Sequence, residues 1–210
     1  NEISLEDHAA LGEAVAPDFS PDKIEGLIGK TFIGNVDTGN FGGVYYFKNQ
    51  ASLDAFLGSE LLAGVKAHPN LANFTTHQFD VAGISSVTNG LADQRKTSAN
   101  RADAAEMHVL IANYELNEIS LEDHAALGKA VAPDFSPDKI EGLIGKTFIG
   151  NVDTGNFGGV YYFETKASLD AFLGSELLAG VKAHPNLANF TTRQFGVAGV
   201  SALTNGIPVL

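Results

Sequence analysis

Cysteine and tryptophan are absent from this chain, and methionine occurs once. Without cysteine there is neither a disulfide nor a thiolate, so cross-links and thiol chemistry are excluded. Basic residues are scarce: 13 Lys and Arg stand against 25 Asp and Glu, a formal charge of −12 over 210 residues. An acidic surface repels nucleic-acid phosphate and anionic lipid, so neither nucleic acid nor membrane is expected as a partner. No apolar run reaches the roughly 20 residues of a membrane-spanning helix, and no charged-then-apolar leader is legible. A cytoplasmic location is the expectation.

What is present is a repeat. Residues 1–90 align without a gap to 117–206 at a constant offset of 116, and 81 of 90 positions agree. The nine differences are Glu13/Lys129, Lys48/Glu164, Asn49/Thr165, Gln50/Lys166, His77/Arg193, Asp80/Gly196, Ile84/Val200, Ser86/Ala202 and Val87/Leu203. Solenoids stack many short units, whereas these are two of domain size. Duplication of a gene whose product paired with itself explains them, because fusing two copies preserves a two-fold interface. The expected domains are a first repeat over 1–90, a polar linker over 91–107 and a second repeat over 108–210. Fully extended, the linker spans roughly 55–60 Å, ample to join paired domains. Met107 reads as the former start of the second copy. The first copy opens at Asn1, the counterpart of Asn117, and lacks an equivalent of 108–116. The expectation is a strand before Asn1 that this sequence does not include, since a small sheet missing a strand exposes ladder groups.

The second copy shows one complete unit. Val109–Glu115 is apolar and rich in β-formers, a strand. Ser120-Leu-Glu-Asp123 has the capping-box pattern and starts a helix whose inner stripe is His124, Leu127, Gly128, Val131 and Phe135. Leu143–Asn151 is a strand, with Leu143, Thr147 and Ile149 on one face and Ile144, Lys146 and Phe148 on the other. Asp153–Gly159 is rich in turn formers and reads as a hairpin loop leading to a strand over Val160–Phe163. A second helix is expected from about Ser168 to Ala183, ended by His184-Pro185, and a last strand lies within Leu187–Val197. The fold class is α+β, with the βαββαβ order of a ferredoxin-like unit.

Few residues carry chemistry. His124, with its counterpart His8, lies on an apolar helix stripe and is the candidate base; the competing role is a core histidine bonded to a carbonyl. His184 and His68 sit where a helix ends, in Lys-Ala-His-Pro-Asn, and suit a helix cap; with Asn186 and Asn70 they are also candidates for a pocket mouth. Tyr161 and Tyr162, like Tyr45 and Tyr46, point to opposite faces of one strand, so one packs toward the helices. Packing or substrate orientation is open to each, and to Tyr114 and Asn113. Lys146 and Lys30 are expected at a sheet edge or in a salt bridge. The Asn151–Asn156 loop lacks the terminal Glu of a calcium loop and the lysine of a phosphate loop, and reads as a hairpin. The Asn-Phe-Thr sequons at Asn73 and Asn189 fall in strands. No zinc spacing and no nucleophile elbow is present, so no metal or other cofactor is expected.

The segments Glu141–Lys146, Gly158–Phe163, Ala167–Leu173 and Gln194–Val197, repeated in the first copy except that Asp80 replaces Gly196, resemble the YdhR-like monooxygenases of the dimeric α+β-barrel superfamily. The resemblance covers nearly all of each repeat. It implies two ferredoxin-like units in one chain, whose four-stranded sheets face each other as a barrel with helices outside. It also implies a cofactor-independent monooxygenase acting on a small aromatic or polyketide-like metabolite held between helices and sheet. His8 and His124 would then be the bases and Tyr45, Tyr46, Tyr114, Tyr161, Tyr162, His68, His184, Asn70 and Asn186 would contact substrate. The quinone-forming relatives often place a tryptophan in the site, and this chain has none. A cofactor-free isomerase or cyclase, or a non-catalytic small-molecule binder, fits the same pocket. The chain itself is expected to be monomeric, an intramolecular pseudo-dimer.

Overall fold

The computed structural model describes residues 5–88 and 106–204, with side chains described over 10–86 and 106–201. Two compact units emerge, and each takes its last segment from the other copy of the repeat. One comprises residues 5–77 with 198–204, the other residues 78–88 with 106–197.

In the first unit, helix α1 (Leu5–Val15) runs into a 3-10 turn at Ala16–Phe19, where Pro17 ends the α-helical pattern. Strands β1 (Leu27–Asn35) and β2 (Asn40–Phe47) form an antiparallel hairpin, followed by α2 (Gln50–Leu57) and α3 (Glu60–Lys66). Its core gathers Phe19, Ile24, Leu27, Phe56 and Leu62. The segment Ala198–Thr204 closes this unit against β1: the Ala198 N–H donates to Phe32 O at 2.9 Å, and the Phe32 N–H donates to Ser201 Oγ at 2.9 Å.

In the second unit, the short strand β3 (Asp80–Val81) precedes β4 (His108–Leu116), α4 (Leu121–Val131), β5 (Leu143–Asn151), β6 (Asn156–Phe163), α5 (Lys166–Leu173), α6 (Glu176–Lys182) and β7 (Leu187–Val197). The sheet is antiparallel, in the order β7-β4-β6-β5-β3. Here Ser85 does for Phe148 what Ser201 does for Phe32, accepting from its N–H at 2.9 Å. The core on the helix side is continuous, from Leu110 and Ala112 on β4 through Tyr161 and Phe163 on β6 to Phe172 and Leu178 on the helices. Fully burying a side chain such as Phe163, Leu169 or Leu178 contributes about 2–3 kcal/mol.

Three expectations change. The helix expected over Ser168–Ala183 is two helices, α5 and α6, broken at Gly174-Ser175. Ser175 Oγ donates to Phe172 O at 2.7 Å and accepts from the Leu178 N–H at 3.2 Å, ending one helix and capping the next. The hairpin loop is shorter than Asp153–Gly159, because Asn156 through Gly159 already belong to β6. A Cβ on Gly158 would overlap the Ala112 carbonyl of β4, so this glycine lets two strand backbones pair closely rather than making a turn. The register of β5 slips between Leu143 and Gly145, and this bulge brings Leu143 into the same cluster as Phe148 despite their alternation.

Candidate active site

The helix-facing side of the second unit's sheet carries a band of aromatic residues from β4, β6 and β7. Tyr114 on β4 stacks against Phe190 of β7, with ring centroids 6.2 Å apart and planes 6° apart, and lies 6.5 Å from Phe157 of β6. The side-by-side placement of Tyr114 and Phe190 comes from a bulge. Asn113 pairs with Thr191 and Glu115 with Ala188, so one residue of β4 faces two of β7. Asn189 occupies the extra position at φ 52°, in the left-handed region where asparagine is better tolerated than most residues. Its Nδ2 donates to Glu115 Oε2 at 2.7 Å. The sequon at Asn189 is thus half of a strand bulge.

Helix α4 brings His124 onto this band. Ser120 caps the helix, its Oγ accepting from the Asp123 N–H at 3.0 Å and donating to Asp123 Oδ2 at 2.7 Å. Just over one turn from the cap, His124 Nε2 lies 3.0 Å from Tyr114 Oη, and its ring packs edge-on against Phe157 at 4.7 Å. Burial lowers the imidazole pKa below its ordinary value and raises that of the Tyr114 phenol to about 12. Both shifts favour a neutral pair at physiological pH. In the tautomer with Nε2 unprotonated, the phenol donates to the imidazole, which remains a competent proton acceptor.

Lys146 lies on the same face, on β5. Of the two places expected for it, an edge or a salt bridge, the edge is excluded: it is only 4% exposed, its Nζ 3.5 Å from the Phe135 ring centroid, 3.7 Å from that of Phe148 and 4.7 Å from that of Tyr161. The reason for the burial is Gly159, which has no side chain where the lysine stem passes: a Cβ there would come within 2.9 Å of Lys146 Cε. Two effects oppose each other at the amine. Aromatic faces favour a cation by about 2 kcal/mol when desolvated, while burial of an ammonium costs several. Burial dominates, and the Lys146 pKa falls well below its usual value. In the first unit Lys30 has the same cage of Phe19, Phe32 and Tyr45, and burial lowers its pKa to about 6.

The remaining candidates separate. Tyr161 is buried in the helix-side core beside Phe172 and Phe163, its pKa raised by burial and further by nearby Tyr114. Tyr45 holds the equivalent place beside Phe56 and Phe47, and burial raises its pKa too. Tyr162 and Tyr46 point to the opposite faces of their strands, Tyr162 buried and Tyr46 half-buried. His184 accepts at Nδ1 from the Asn186 N–H at 3.3 Å, and His68 does the same for Asn70. The Asn186 side chain donates to Asn117 O at 2.9 Å and Glu118 O at 3.2 Å, clamping the approach to α4. Those contacts hold a loop together and lie apart from the Tyr114–His124 pair in hydrogen bonding. The His8 side chain lies outside the described residues. Phe157, Phe190 and the lysine cage escape a reading of composition, since aromatics and a strand lysine carry no spacing signal of their own. Asn113, on the other face of β4, has its Nδ2 buried without a hydrogen-bond partner among the described residues. No three His, Asp or Glu side chains among the described residues converge as a metal site would require. An open recess of about 190 Å³ in the first unit, lined by residues including Lys23, Ile24, Ser52, Phe56, Ser59 and Leu61, contains none of these candidates.

Comparison with known proteins bears on this arrangement. The sequence matches the family described as "Putative mono-oxygenase ydhR" twice, over residues 5–91 and 109–207. No curated protein matches it by sequence. Among solved structures, the fold resembles a "putative monooxygenase" from Fusobacterium nucleatum subsp. nucleatum at 10% identity and a TM-score of 0.63, over 94% of this chain and 88% of that one. It also resembles one from Lactobacillus acidophilus at 13% identity and a TM-score of 0.57, over 98% and 94% of the two chains. An anthrone oxidase-like protein shares 11% identity and a TM-score of 0.56, over 94% and 87%. At such identities the likeness is one of fold.

Proposed function

Because this chain belongs to the ydhR mono-oxygenase family, we propose that it oxidises a small aromatic or polyketide-like metabolite with dioxygen, without a bound cofactor, using His124 as the base. The observation that carries this is the 3.0 Å contact between Tyr114 Oη and His124 Nε2, set among Phe157 and Phe190. Aromatic walls suit a flat apolar substrate, and a neutral imidazole is the usual acceptor of a proton near pH 7. The solved structure of an anthrone oxidase-like protein with this fold supports a phenolic, polycyclic substrate class.

The chemistry runs as follows. The substrate gives up an acidic proton, which passes through the Tyr114 hydroxyl as that group hands its own proton to His124. The substrate anion transfers an electron to dioxygen, and recombination forms a carbon–oxygen bond as a peroxide. Cleavage of the O–O bond with loss of water leaves a carbonyl, so one CH₂ and one O₂ become one C=O and one H₂O. The substrate supplies all the electrons. His8 is the corresponding base of the first copy, where residues 1–90 hold no counterpart of Tyr114, and Tyr161 packs beneath the aromatic band.

We read the chain further as an intramolecular pseudo-dimer of two ferredoxin-like βαββαβ units. The 81 of 90 shared positions support that reading, as does the exchange of closing segments between the copies. Native mass spectrometry tests both proposals: a 22 kDa monomer carrying an aromatic ligand is the expected species. Turnover of that ligand that stops under strict anaerobiosis supports oxygenation. Turnover that persists without dioxygen makes the same pair the acid–base catalyst of an isomerisation or cyclisation and overturns the monooxygenase reading.

A further inference from the structure

Helices α5 and α6 are fixed by what they bury, Leu169 and Phe172 on one and Leu178 on the other. Helix α4, which carries His124, has no fully buried side chain, and Leu121 at its start is 48% exposed. Core packing therefore holds it weakly, and its place over the sheet depends on how its ends are fixed. The exit is anchored by Ala132 and Phe135, both buried in the core. The entry is held by hydrogen bonds. Strand β4 ends at Leu116, opposite Leu187 of β7, and the chain then turns off the sheet. Glu118 makes that turn at φ 51°, a left-handed conformation that a residue with a Cβ keeps only where its surroundings impose it. Asn186 imposes it. Its Nδ2 donates to Asn117 O at 2.9 Å and to Glu118 O at 3.2 Å, and its main-chain O accepts from the Asn117 N–H at 2.9 Å. Asn117 Nδ2 donates in return to Pro185 O at 3.0 Å. Ser120, two residues beyond Glu118, then caps α4.

We propose that Asn186 is a positioning residue: its two hydrogen bonds to the Asn117 and Glu118 carbonyls set the entry of α4 and so hold the His124 ring on Tyr114 and Phe157. The catalytic consequence rests on the role of His124 as the base; the placement of the ring does not. Little slack is available there, with His124 Nε2 3.0 Å from Tyr114 Oη and the two ring centroids of His124 and Phe157 4.7 Å apart. A reacting group displaced by about 1 Å can lose on the order of a hundredfold in rate, so groups that fix its backbone matter without touching it. Removing the Asn186 amide frees Glu118 to relax toward an ordinary φ, which swings the first turn of α4 and His124 with it. An aspartate in its place keeps the size but turns an acceptor toward two carbonyl oxygens, so the donors rather than the volume are what counts.

The test compares Asn186→Ala, Asn186→Asp and the double variant Asn186→Ala/Glu118→Gly in the intact chain, with hydrogen exchange of the β4 and β6 amides as the check that each is folded. In wild type the His124 ring protons feel the ring current of Phe157. In both single variants they are expected to move toward the positions of an unstructured histidine in NMR spectra, and the His124 titration midpoint to rise toward about 6.5. Glycine takes the left-handed conformation at no steric cost, so the double variant is expected to recover at least about half of both shifts. With anthrone as the probe in an oxygen electrode, Asn186→Ala is expected to lower kcat about tenfold to a hundredfold at little change in KM, and the double variant to regain part of it. Where Asn186→Ala does not fold, Asn117→Ala, which loses only the bond to Pro185 O, is expected to give the same displacement in smaller degree. His124 signals unchanged in a folded variant, or no recovery on adding Glu118→Gly, would overturn the proposal whether or not anthrone is turned over. A raised KM at unchanged kcat would overturn it too, making Asn186 a substrate contact. Wild-type protein that takes up no dioxygen with anthrone counts against the proposed substrate, and the His124 signals still decide the role of Asn186.

Discussion

At the residue scale, burial shifts several titratable groups toward their neutral forms, and their pH dependence follows from it. His124 has a folded-state pKa below that of the unfolded chain, so the unfolded state binds a proton first as the pH falls. The stability this group contributes is complete above its ordinary value of about 6.5 and declines as the pH drops below it. An NMR titration of His124 is expected to show a midpoint below 6.5 in wild type, and a midpoint at or above it would contradict the neutral pair. The lysines give the same sign in another window. Lys30, at about 6, is neutral in the folded protein at neutral pH and charged when unfolded, so stability rises with pH between about 6 and 10.5. Replacing a desolvated amine by an isosteric thioether removes that linkage. Lys30→Met is expected to keep or raise the melting temperature at pH 7 by a few degrees and to flatten its rise toward pH 9, as read by calorimetry. Legibility was uneven here. His124 stood out because a histidine on an apolar helix stripe breaks the pattern. Tyr114 gained its meaning only when a bulge and a helix brought the two together. Lys146 misled, because its burial depends on a distant Gly159 rather than on its neighbours in sequence.

At the scale of elements, the duplicated sequence is a natural comparison of identical strands in unlike settings. Gly158→Ala is expected to destabilise the second unit by about 2–3 kcal/mol, because the new methyl overlaps the β4 backbone. Gly42→Ala is expected to change stability by less than about 0.5 kcal/mol. Chemical denaturation of the two variants side by side checks the difference. The bulge at Asn189 makes a second comparison: Asn189→Gly should be tolerated, while Asn189→Val should cost about 1–2 kcal/mol for a β-branched residue at φ 52° and loosen the stacking of Tyr114 on Phe190. Near-ultraviolet dichroism of the tyrosine band reports that loss. Strand periods and the Ser120 cap were legible in the sequence because alternation and capping are local. The break at Gly174-Ser175 and the strand role of Gly158-Gly159 were not. A glycine reads the same whether it ends a helix, makes a turn or admits a neighbouring strand, and only the partner decides.

On the scale of the whole molecule, each compact unit is closed by a segment from the other copy, Ser85 on Phe148 and Ser201 on Phe32. The repeat itself was evident from the alignment of 1–90 with 117–206. The exchange of tails was not, since two copies of one sequence offer each tail two identical seats and local pattern cannot choose between them. Removing residues 198–210 is expected to unprotect the amides of β1 in hydrogen exchange while leaving β4 and β6 protected, because only the first unit loses its closing segment. The central claim, that His124 and its counterpart His8 are the bases of an oxygen-dependent oxidation, is tested most directly with an oxygen electrode and anthrone as the probe. The account predicts dioxygen uptake matched one-to-one by anthraquinone formation, falling about a hundredfold or more in the folded His8→Ala/His124→Ala double variant. Uptake undiminished in that variant would contradict the role of the histidines, and no uptake by the wild-type protein would contradict the substrate class.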